Sequence, residues 1–260
     1  FGHQVTCADI DQNKIERLKA GEIPIYEPGL ESLVKQNVAK GRLHFSHDVP
    51  ESIQNADIIF VAVGTPQGSN GEANLSAIES VAKTIGENLN GYKIICTKST
   101  VPVGTGKRIE EIIRSVNPNG DFDYVSNPEF LREGAAVKDF LHPDRVVIGT
   151  RTQKAIKVIG EVYQPLYINE TPIISTTVET AEMIKYAANA FLSLKISYIN
   201  EIANLCEAVG ADVQDVARAM ELDGRISAKF LHPGPGYGGS CFPKDTHALA
   251  ATGQKNRSPL

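Results

Sequence analysis

Asp57-Ile58-Ile59-Phe60-Val61-Ala62-Val63 is a continuous apolar run of strand length that leads directly into Gly64-Thr65-Pro66, and it is the clearest indication of the fold class. Such a run is typical of a parallel strand that is buried on both faces of its sheet. Similar apolar runs predict strands at 4–8, 92–97, 122–126, 146–149 and 172–176. Segments with helical periodicity predict helices at 11–19, 75–89, 104–116 and 152–163. Repeated alternation of strand and helix predicts the α/β class, with a parallel sheet covered by helices.

The pattern changes after residue 177. Residues 178–209 form one helical pattern without Pro or Gly, and a second helix is predicted at 211–222. At about 1.5 Å per residue the first helix is too long for the outer layer of a sheet, so we interpret it as a spine helix that joins two domains. The predicted domains are 1–177, which contains the sheet, and 178–260, which contains the spine helix and a small all-α domain.

An acidic residue, Asp9, closes the first predicted strand. In dinucleotide-binding folds an acid at the end of the second strand binds the adenosine ribose, because two carboxylate oxygens match two vicinal hydroxyls. The strand before Asp9 would be that second strand, because we expect the chain to start after the first strand and its Gly-rich loop. The alternative is a helix N-cap or a solvated side chain, and Asp11 is the better candidate for the cap.

Two polar turns follow buried strands directly. Val63-Gly64-Thr65-Pro66 and Ser99-Thr100-Val101-Pro102 are therefore expected at the same carboxyl edge of the sheet, where ligands bind. Glycine and small hydroxyl residues let a ligand approach the backbone closely. The alternative is ordinary turn chemistry, since Pro and Ser are common in loops.

The segment Asn127-Pro128-Glu129-Phe130-Leu131-Arg132-Glu133 also follows a strand. Glu129 and Glu133 share one face if this segment is helical, and like charges at that spacing cost stability, which suggests a function. The alternative is a solvated helix start, where acidic residues are favoured by the helix dipole.

Lys185 and Asn189 lie one helical turn apart on the spine helix, among apolar residues. Buried against a site, such a lysine would have a lowered pKa and could act in proton transfer. For the pair taken alone, an exposed helix face is the favoured interpretation.

The strongest chemical signal is the stretch Gly236-Tyr237-Gly238-Gly239-Ser240-Cys241-Phe242-Pro243-Lys244-Asp245. Glycines allow a ligand to approach, and a neighbouring cation such as Lys244 lowers the pKa of a thiol and makes the nucleophilic thiolate available. A lone cysteine is usually a small buried hydrophobe. That interpretation fits Cys7, Cys96 and Cys206, but it fits Cys241 poorly.

Composition excludes several classes of protein. A formal net charge of -5 argues against nucleic acid as the main partner, and no apolar stretch is long enough to cross a membrane. The four cysteines have no paired spacing, so we expect neither a metal site nor a disulfide framework, and a cytoplasmic, reducing setting is the simpler interpretation. The chain opens at Phe1 without an initiator Met and closes at Leu260 in no recognisable domain end, so we expect a fragment truncated at both termini.

Six motifs together resemble the UDP-glucose 6-dehydrogenase family of nucleotide-sugar dehydrogenases over nearly the whole chain. They are I-P-I-Y-E-P-G-L (23–30), V-A-V-G-T-P (61–66), K-S-T-V-P-V-G-T-G (98–106), S-N-P-E-F-L-R-E-G (126–134), A-E-M-I-K-Y-A-A-N-A-F (181–191) and G-Y-G-G-S-C-F-P-K-D (236–245). The resemblance implies a Rossmann-type NAD-binding domain at 1–177 without its first strand and Gly-rich loop. It also implies a central dehydrogenase domain at 178–260 without the C-terminal UDP-binding domain.

The activity implied by the resemblance is a four-electron oxidation of the sugar's primary alcohol to a carboxylate with two NAD. Cys241 would be the nucleophile of the second oxidation, forming a thiohemiacetal and then a thioester. Lys185 would act as base or oxyanion stabiliser, and Asn189 would donate a hydrogen bond to the reacting oxygen. Glu129 would position the hydrolytic water, and Thr100 and Asp245 would hold a water and the lysine in place.

The resemblance also assigns binding residues. The expected cofactor-side residues are Asp9, Lys14, Thr65, Thr100, Glu133 and Lys244. The expected substrate-side residues are Glu129, Phe130, Leu131, Lys185, Asn189, Arg225, Phe230, Leu231 and Gly238. The form S-C-F-P-K-D resembles the UDP-glucose branch, with the GDP-mannose branch as the alternative, whereas Ser240 disfavours the UDP-N-acetylmannosamine branch, which usually has Pro there. The implied partners are a UDP-sugar and a second copy of the chain, paired through the spine helix.

Two hypotheses of other classes compete with a dehydrogenase. A cysteine-based acyl transferase or hydrolase requires a histidine beside Cys241, and the nearby candidate His247 lies six residues away, which is unhelpful on a regular helix. An inactive assembly module would use the spine helix for dimerisation alone. Cys241, Lys185 and Asn189 occurring together argue against assembly alone.

Overall fold

The structure is a computed structural model that describes residues 1–68, 71–237 and 239–258. Its chain divides into two compact units. Unit 1 consists of Phe1–Thr65 and Leu75–Glu182, and unit 2 consists of Pro66–Asn74 and Met183–Leu260. The division falls inside the predicted spine helix, a few residues beyond the predicted boundary at 177, and a short early segment belongs to the second unit.

Unit 1 contains seven strands in its described residues. They are β1 (Val5–Ala8), β2 (Leu43–Ser46), β3 (Ile58–Val61), β4 (Lys93–Thr97), β5 (Phe122–Ser126), β6 (Val146–Thr150) and β7 (Ile173–Thr176). β1 and β2 form a parallel two-stranded sheet, and the other five form a sheet in the order β3-β4-β5-β6-β7. The predicted strands therefore exist, and the sequence analysis missed only β2.

The prediction of a parallel sheet is confirmed for every pair except one. β5 and β6 run antiparallel, with Ser126 opposite Gly149. A parallel pair needs a crossover that returns the chain to the starting edge of the sheet. The connection from 127 to 145 contains only a six-residue helix, and β6 enters the sheet from the edge at which β5 ends.

The helices of unit 1 are α1 (Gln12–Lys19), α2 (Leu30–Ala39), α3 (Val49–Asn55), α4 (Ser76–Asn88), α5 (Thr105–Val116), α6 (Ala136–Leu141) and α7 (Gln153–Val162), together with a 3-10 helix at Gln164–Asn169. Their ends follow local chemistry. The side chain of Asp11 accepts a hydrogen bond from Lys14 N, so Asp11 is the N-cap of α1, as predicted. α2, α3 and α6 were not predicted.

The core of unit 1 lies on both faces of the five-stranded sheet. Along β4, Ile95 packs with α4 and α5 on one face, whereas Ile94 and Cys96 pack with α7 on the other. This alternation is the period-2 pattern of a strand covered on both sides. β3 is an edge strand, and its Phe60 is 41% exposed, so the prediction that β3 is buried on both faces is wrong. Cys7 is exposed, as are the other three residues of β1. The expectation that Cys7 is a small buried hydrophobic residue is therefore wrong.

The predicted spine helix is one unbroken helix, α8 (Val178–Val209), of 32 residues. Two further helices follow it in unit 2, α9 (Val213–Glu221) and α10 (Cys241–Lys255). Ile199 of α8, Ala217 of α9 and Leu231 form the buried core of this unit. The sequence analysis predicted α9 but missed α10. In the part of the chain that the structure describes, no helix, α8 included, has the length and apolarity required to span a bilayer.

The first prediction concerns the close packing of α5 against the sheet. A Cβ atom on Gly106 would lie 2.5 Å from Tyr124 Cε1 and 2.5 Å from Val178 Cγ1. Gly106→Ala should therefore lower the free energy of unfolding by about 1–3 kcal/mol, measured by urea denaturation. The control is Gly160→Ala in α7, where no atom lies within 4 Å of the added Cβ and stability should rise by about 0.5–1 kcal/mol. Equal stability of the two variants would contradict the packing.

Candidate active site

The two polar turns predicted at the carboxyl edge of the sheet are in contact. Thr65 Oγ1 donates a hydrogen bond to the carbonyl oxygen of Thr100 at 2.8 Å, and Ser99 Oγ donates to the carbonyl oxygen of Val63 at 2.7 Å. β3 and β4 are parallel neighbours, so the turns that follow them leave the sheet at one edge. The expected juxtaposition of Thr65 and Thr100 is therefore confirmed.

Asp9 lies just beyond the carboxyl end of β1. Its carboxylate accepts hydrogen bonds from Lys14 Nζ at 2.6 Å and from the backbone N–H of Asp11 at 3.0 Å. The hydrogen bond from Lys14 is the main cause of a lowered pKa for Asp9, so the side chain is a carboxylate at neutral pH. Lys14, a predicted cofactor residue, thus lies beside Asp9.

These residues fit an adenosine-containing cofactor. Asp9 is a partly exposed carboxylate at the position where a ribose diol is expected. Gly64 follows β3, and no atom lies within 4 Å of the place where a Cβ would be, so the backbone there is open to a ligand.

Asn127 fixes the segment that begins after β5. This buried side chain donates a hydrogen bond from Nδ2 to the carbonyl oxygen of Val147 at 2.7 Å. Its Oδ1 accepts hydrogen bonds from the hydroxyl of Tyr163 at 2.5 Å and from Lys98 Nζ at 3.2 Å. A buried amide with both ends satisfied holds its backbone in one conformation, and Glu129 lies two residues further along.

Glu129 and Glu133 do not share a helical face, because residues 127–132 form no helix. The carboxylate of Glu129 accepts a hydrogen bond from the N–H of Leu131 at 2.5 Å, and Glu133 is exposed. Phe130 packs against the guanidinium of Arg145, 3.6 Å from the ring centroid. Leu131 is exposed. The repulsion argument for Glu129 and Glu133 was therefore wrong, while their roles stay predictions.

One face of α8 is polar and buried. Glu182, Lys185, Asn189 and Ser193 are exposed by only 2%, 4%, 6% and 3%, and their spacing of three, four and four residues places them on one face. An exposed helix face, the favoured interpretation of Lys185 and Asn189 taken alone, is therefore wrong. Polar groups are expensive to bury, so a buried polar face indicates a structural or chemical role.

Asn189 and Lys244 hold the carboxylate of Asp245 in unit 2. Asn189 Nδ2 donates to Asp245 Oδ2 at 2.6 Å, and Lys244 Nζ donates to Asp245 Oδ1 at 2.6 Å. Asp245 is 1% exposed, so both of its oxygens are satisfied by protein groups. The ammonium of Lys244 is thereby directed to Asp245, a contact that the sequence analysis did not predict.

Cys241 is exposed and is the first residue of α10 rather than part of a loop. Asp245 lies four residues later, so the thiol and the carboxylate belong to the same face of that helix. Backbone N–H groups at the start of a helix favour anions. The next residue, Phe242, packs against Phe230 at 6.0 Å and Tyr237 at 5.6 Å between ring centroids.

The predicted sugar-nucleotide residues lie in differing surroundings. Arg225 is exposed and forms a salt bridge with Asp223 at 2.5 Å, whereas Leu231 is buried in the core of unit 2. Phe230 has a positive φ of 67°, a strained conformation for an aromatic residue. Gly238 lies outside the described residues.

Sequence reasoning missed Lys195 on α8. Its ammonium donates to the carbonyl oxygens of Ile226, Ser227 and Lys229 at 3.1, 3.0 and 2.5 Å, so it holds the loop that leads to Phe230. No local pattern indicates such a contact, since it joins residues more than thirty positions apart. Glu182 was also missed, although its spacing from Lys185 and Asn189 is a detectable signal.

His247 is not placed to activate Cys241. α10 is helical from Cys241 to Lys255, and six residues correspond to a rotation of about 240° around a helix axis. His247 Nδ1 instead forms a hydrogen bond with Gln67 Nε2 at 3.1 Å. This geometry disfavours a cysteine-based hydrolase, as the sequence predicted.

Side chains that could bind a metal ion are not clustered in the described residues. No group of three or more His, Cys, Asp or Glu within 1–68, 71–237 and 239–258 is arranged to hold a metal ion. All four cysteines are free thiols, and burial raises the pKa of the Cys96 thiol to about 12, which makes that residue inert. Cys7 and Cys241 are the two exposed thiols, and Cys241 is the one at the start of a helix, one turn before Asp245.

The fold and these residues define a class: a dinucleotide-binding α/β domain followed by a helical unit with an exposed cysteine near a buried Asn-Asp-Lys cluster. Family models agree with this class. The NAD binding domain of the UDP-glucose/GDP-mannose dehydrogenase family matches residues 1–167, and the central domain of that family matches residues 179–260. The chain belongs to the UDP-glucose/GDP-mannose dehydrogenase family, and NAD is the cofactor of its first domain.

Individual relatives are similar over the whole chain. The UDP-glucose 6-dehydrogenase of Rhizobium meliloti is 57% identical, covering 100% of this chain and 60% of the relative. UDP-glucose 6-dehydrogenase TuaD of Bacillus subtilis is also 57% identical, covering 96% of this chain and 54% of the relative. The chain thus spans somewhat more than half the length of these relatives.

Solved structures share the fold. A UDP-glucose dehydrogenase from Pyrobaculum islandicum superimposes with a TM-score of 0.95 at 38% identity, over 99% of this chain and 60% of the other. A GDP-mannose dehydrogenase from Pseudomonas aeruginosa superimposes with a TM-score of 0.83 at 35% identity, again over 99% and 60%.

The second prediction tests the Asp245 cluster through stability. In Asp245→Asn the new amide can accept from Asn189 or Lys244 but not from both, so a buried donor loses its partner. The free energy of unfolding should fall by about 1–3 kcal/mol in urea denaturation. The control is Asp215→Asn in α9, an exposed residue paired with Arg218, which should change stability by less than about 0.5 kcal/mol. An unchanged stability of Asp245→Asn would show that the cluster is absent in solution.

Proposed function

We propose that the full-length protein oxidises UDP-glucose to UDP-glucuronate with two NAD, through a covalent intermediate on Cys241. The observation that carries the proposal is the exposed thiol at the start of α10, one turn before an Asp245 that Asn189 and Lys244 hold. The family's NAD binding domain supports the cofactor. Four free thiols support a reducing compartment such as the cytoplasm.

The choice of sugar nucleotide rests on similarity. Two relatives named UDP-glucose 6-dehydrogenase are 57% identical to this chain, whereas the solved GDP-mannose dehydrogenase is 35% identical. GDP-mannose is therefore the second candidate substrate. A structure of a UDP-N-acetylmannosamine dehydrogenase from Pyrococcus horikoshii is only 26% identical, in keeping with Ser240 before the cysteine.

The first oxidation removes a proton from the primary hydroxyl and a hydride from its carbon. NAD, when bound, supplies the hydride acceptor for both oxidations. The acceptors that we propose for the proton are Lys185 and Asp245, directly or through a water between them; both side chains are buried. The amide nitrogen of Asn189 carries two N–H donors, and the one not directed to Asp245 would stabilise charge on the reacting oxygen.

The second oxidation needs a nucleophile, because an aldehyde carbon is a poor hydride donor. The sulfur of Cys241 adds to that carbon and the aldehyde oxygen takes up a proton, which gives a thiohemiacetal. Loss of a hydride from the carbon and a proton from the oxygen then gives a thioester. Water attacks the thioester carbon, the carbon–sulfur bond breaks, and the thiol and the carboxylate product are released.

Residues of unit 1 would serve the cofactor and the hydrolytic water. Asp9, with Lys14 beside it, would bind the adenosine ribose, and the hydrogen-bonded pair Thr65 and Thr100 would line the edge of the sheet. Glu129, whose backbone is fixed by buried Asn127, would orient the water. Glu133 is the remaining cofactor residue proposed in unit 1, and the cofactor residue proposed in unit 2 is Lys244, which forms an ion pair with Asp245.

Substrate-binding residues are proposed for each unit taken by itself: Glu129, Phe130 and Leu131 after β5 in unit 1, and Lys185 and Asn189 on α8 with Arg225 after α9 in unit 2. Phe130 and Leu131 follow Glu129, and Arg225 is exposed at the surface of unit 2, where it can meet a phosphate. Leu231 is buried, so we propose that its backbone rather than its side chain contacts the nucleotide. Phe230 and Gly238 complete the proposed set.

The third prediction tests the nucleophile. In the full-length protein, Cys241→Ala should lower the rate of UDP-glucuronate formation by at least about a thousandfold, because no thiohemiacetal can form. The wild-type protein should reduce two NAD for each UDP-glucose, measured by NADH absorbance and by chromatography of the product. Cys206→Ala, which alters a buried cysteine of α8, should keep the activity.

The outcomes separate the candidate functions. A fully active Cys241→Ala enzyme would contradict the covalent mechanism. Oxidation of GDP-mannose but not UDP-glucose by the wild-type protein would transfer the proposal to the second substrate. Hydrolysis of an ester without NAD would support a hydrolase instead.

We also propose that two copies of the chain pair through α8. Five large apolar side chains of α8 are each at least half exposed: Phe191, Leu194, Tyr198, Leu205 and Val209. Their spacing of three, four, seven and four residues is that of a coiled-coil seam, which a second copy of the same helix covers symmetrically.

The fourth prediction follows from this seam. The double substitution Phe191→Glu with Leu194→Glu should halve the molar mass of the protein in solution, measured by light scattering. Two glutamates from each copy would place four like charges in the buried interface, where they oppose each other. Leu222→Glu alters an exposed leucine outside α8 and should leave the mass unchanged. A dimer that survives the double substitution would exclude α8 as the interface.

A further inference from the structure

Glu182 is a buried carboxylate that no step of the proposed reaction uses. It lies in the first turns of α8, and its two oxygens accept hydrogen bonds from the N–H groups of Gly104 and Gly106, each at 2.7 Å. These are the N-cap and second residues of α5. Glu182 therefore caps α5 from a different helix, 76 and 78 residues away along the chain.

The turn from 98 to 104 is fixed at both ends and in the middle. At its start, Ser99 Oγ donates to the carbonyl oxygen of Val63 at 2.7 Å, and in the middle the side chain of Val101 is buried in the core. At its end, Gly104 has a φ of 95° and relies on Glu182. Thr100 lies between these points, and its carbonyl oxygen accepts the hydroxyl hydrogen of Thr65.

The space around Gly106, one of the two residues that donate to Glu182, is closely packed. A Cβ on Gly106 would lie 2.5 Å from atoms of Tyr124 and Val178 and 3.2 Å from Glu182 Oε1. A closely packed, water-poor site strengthens hydrogen bonds and makes an unpaired N–H group costly. The buried N–H group of Gly106 thus depends on this one carboxylate, whereas the N–H group of Gly104 donates to it at an exposed position.

We propose that Glu182 is a positioning residue of the NAD site, which ties α8 to the start of α5 and so holds the turn 98–104, with Thr100, in its ligand-binding shape. The inference rests on the proposed function only for the identity of the ligand as NAD. It does not depend on which sugar is oxidised.

Protonation provides a readout of this role. Burial raises the pKa of Glu182 to about 7, the hydrogen bonds from Gly104 and Gly106 and nearby Arg151 oppose the increase, and Glu179 adds to it. Tyr124 of β5 also faces this carboxylate. Because burial raises this pKa above its ordinary value despite the two hydrogen bonds, ionisation of Glu182 opposes the packed arrangement, so the turn should be held less firmly as the pH rises through about 7.

The fifth prediction compares Glu182→Gln with Glu179→Gln in the full-length protein. The matched control lies one turn earlier on α8 and is paired at the surface with Arg151. A glutamine has only one oxygen to accept the two N–H groups, so the amides of Gly104 and Gly106 should exchange hydrogen at least about tenfold faster in Glu182→Gln. The dissociation constant of NAD, measured by calorimetry without sugar nucleotide, should rise about tenfold in the same variant. Both quantities should be unchanged in Glu179→Gln.

The pH profile separates positioning from general loss of stability. In the wild-type and Glu179→Gln proteins, NAD affinity should decrease between about pH 5 and 7, whereas Glu182→Gln, which has no carboxyl group to ionise at this position, should show no such decrease. Faster exchange of Gly104 and Gly106 with unchanged NAD affinity would overturn the proposal. If Glu182→Gln does not fold, the wild-type profile decides, because a flat NAD affinity across this range would also overturn it.

The result is independent of the proposed reaction. A protein that binds NAD in this manner but oxidises no UDP- or GDP-sugar would refute the proposed function and leave the role of Glu182 supported.

Discussion

Four polar side chains are buried along one face of α8, and the surrounding structure has to satisfy them. Glu182 binds two backbone N–H groups of α5, Asn189 binds Asp245 of α10, and Ser193 donates to the carbonyl oxygen of Asn189. A buried polar group without a partner costs as much as a lost hydrogen bond or more, so these contacts constrain every element that approaches α8. The same helix therefore contacts α5 through Glu182 within unit 1 and α10 through Asn189 within unit 2.

The two units contribute different kinds of groups to the proposed chemistry. Unit 1 provides backbone turns and small hydroxyl groups at the carboxyl edge of a sheet, which suits a large cofactor. Unit 2 provides an amine, an amide, a carboxylate and a thiol, which suits proton transfer and nucleophilic addition. The buried pairing of Asp245 with Asn189 and Lys244 gives the carboxylate, the amide and the Lys244 ammonium fixed orientations, and fixed orientation lowers the free energy needed to reach a transition state.

Local periodicity predicted most of the fold, and long-range contacts account for what it missed. The strands around Ile95 and Val147 and the unbroken α8 follow from patterns within a few residues. The antiparallel pairing of β5 and β6 depends on how a connection packs, which no local pattern encodes. The start of α10 at Cys241 was not predicted because glycines precede it and because Pro243 follows two residues later. A helix tolerates proline in its first turn. Burial of Lys185 and Asn189 was ambiguous because apolar residues surround them on several faces of α8, and their roles came from resemblance.

In the proposed reaction Cys241, which lies one helical turn before a fixed Asp245, carries the substrate covalently during the second oxidation. Mass spectrometry of the full-length protein tests it most directly, using Glu129→Gln to slow hydrolysis, UDP-glucose with NAD, and an acid quench. The account predicts a uronyl adduct on the peptide that contains Cys241 and none on peptides with Cys7, Cys96 or Cys206. Formation of UDP-glucuronate with an adduct on another residue, or with no adduct under conditions that accumulate intermediates, would contradict it.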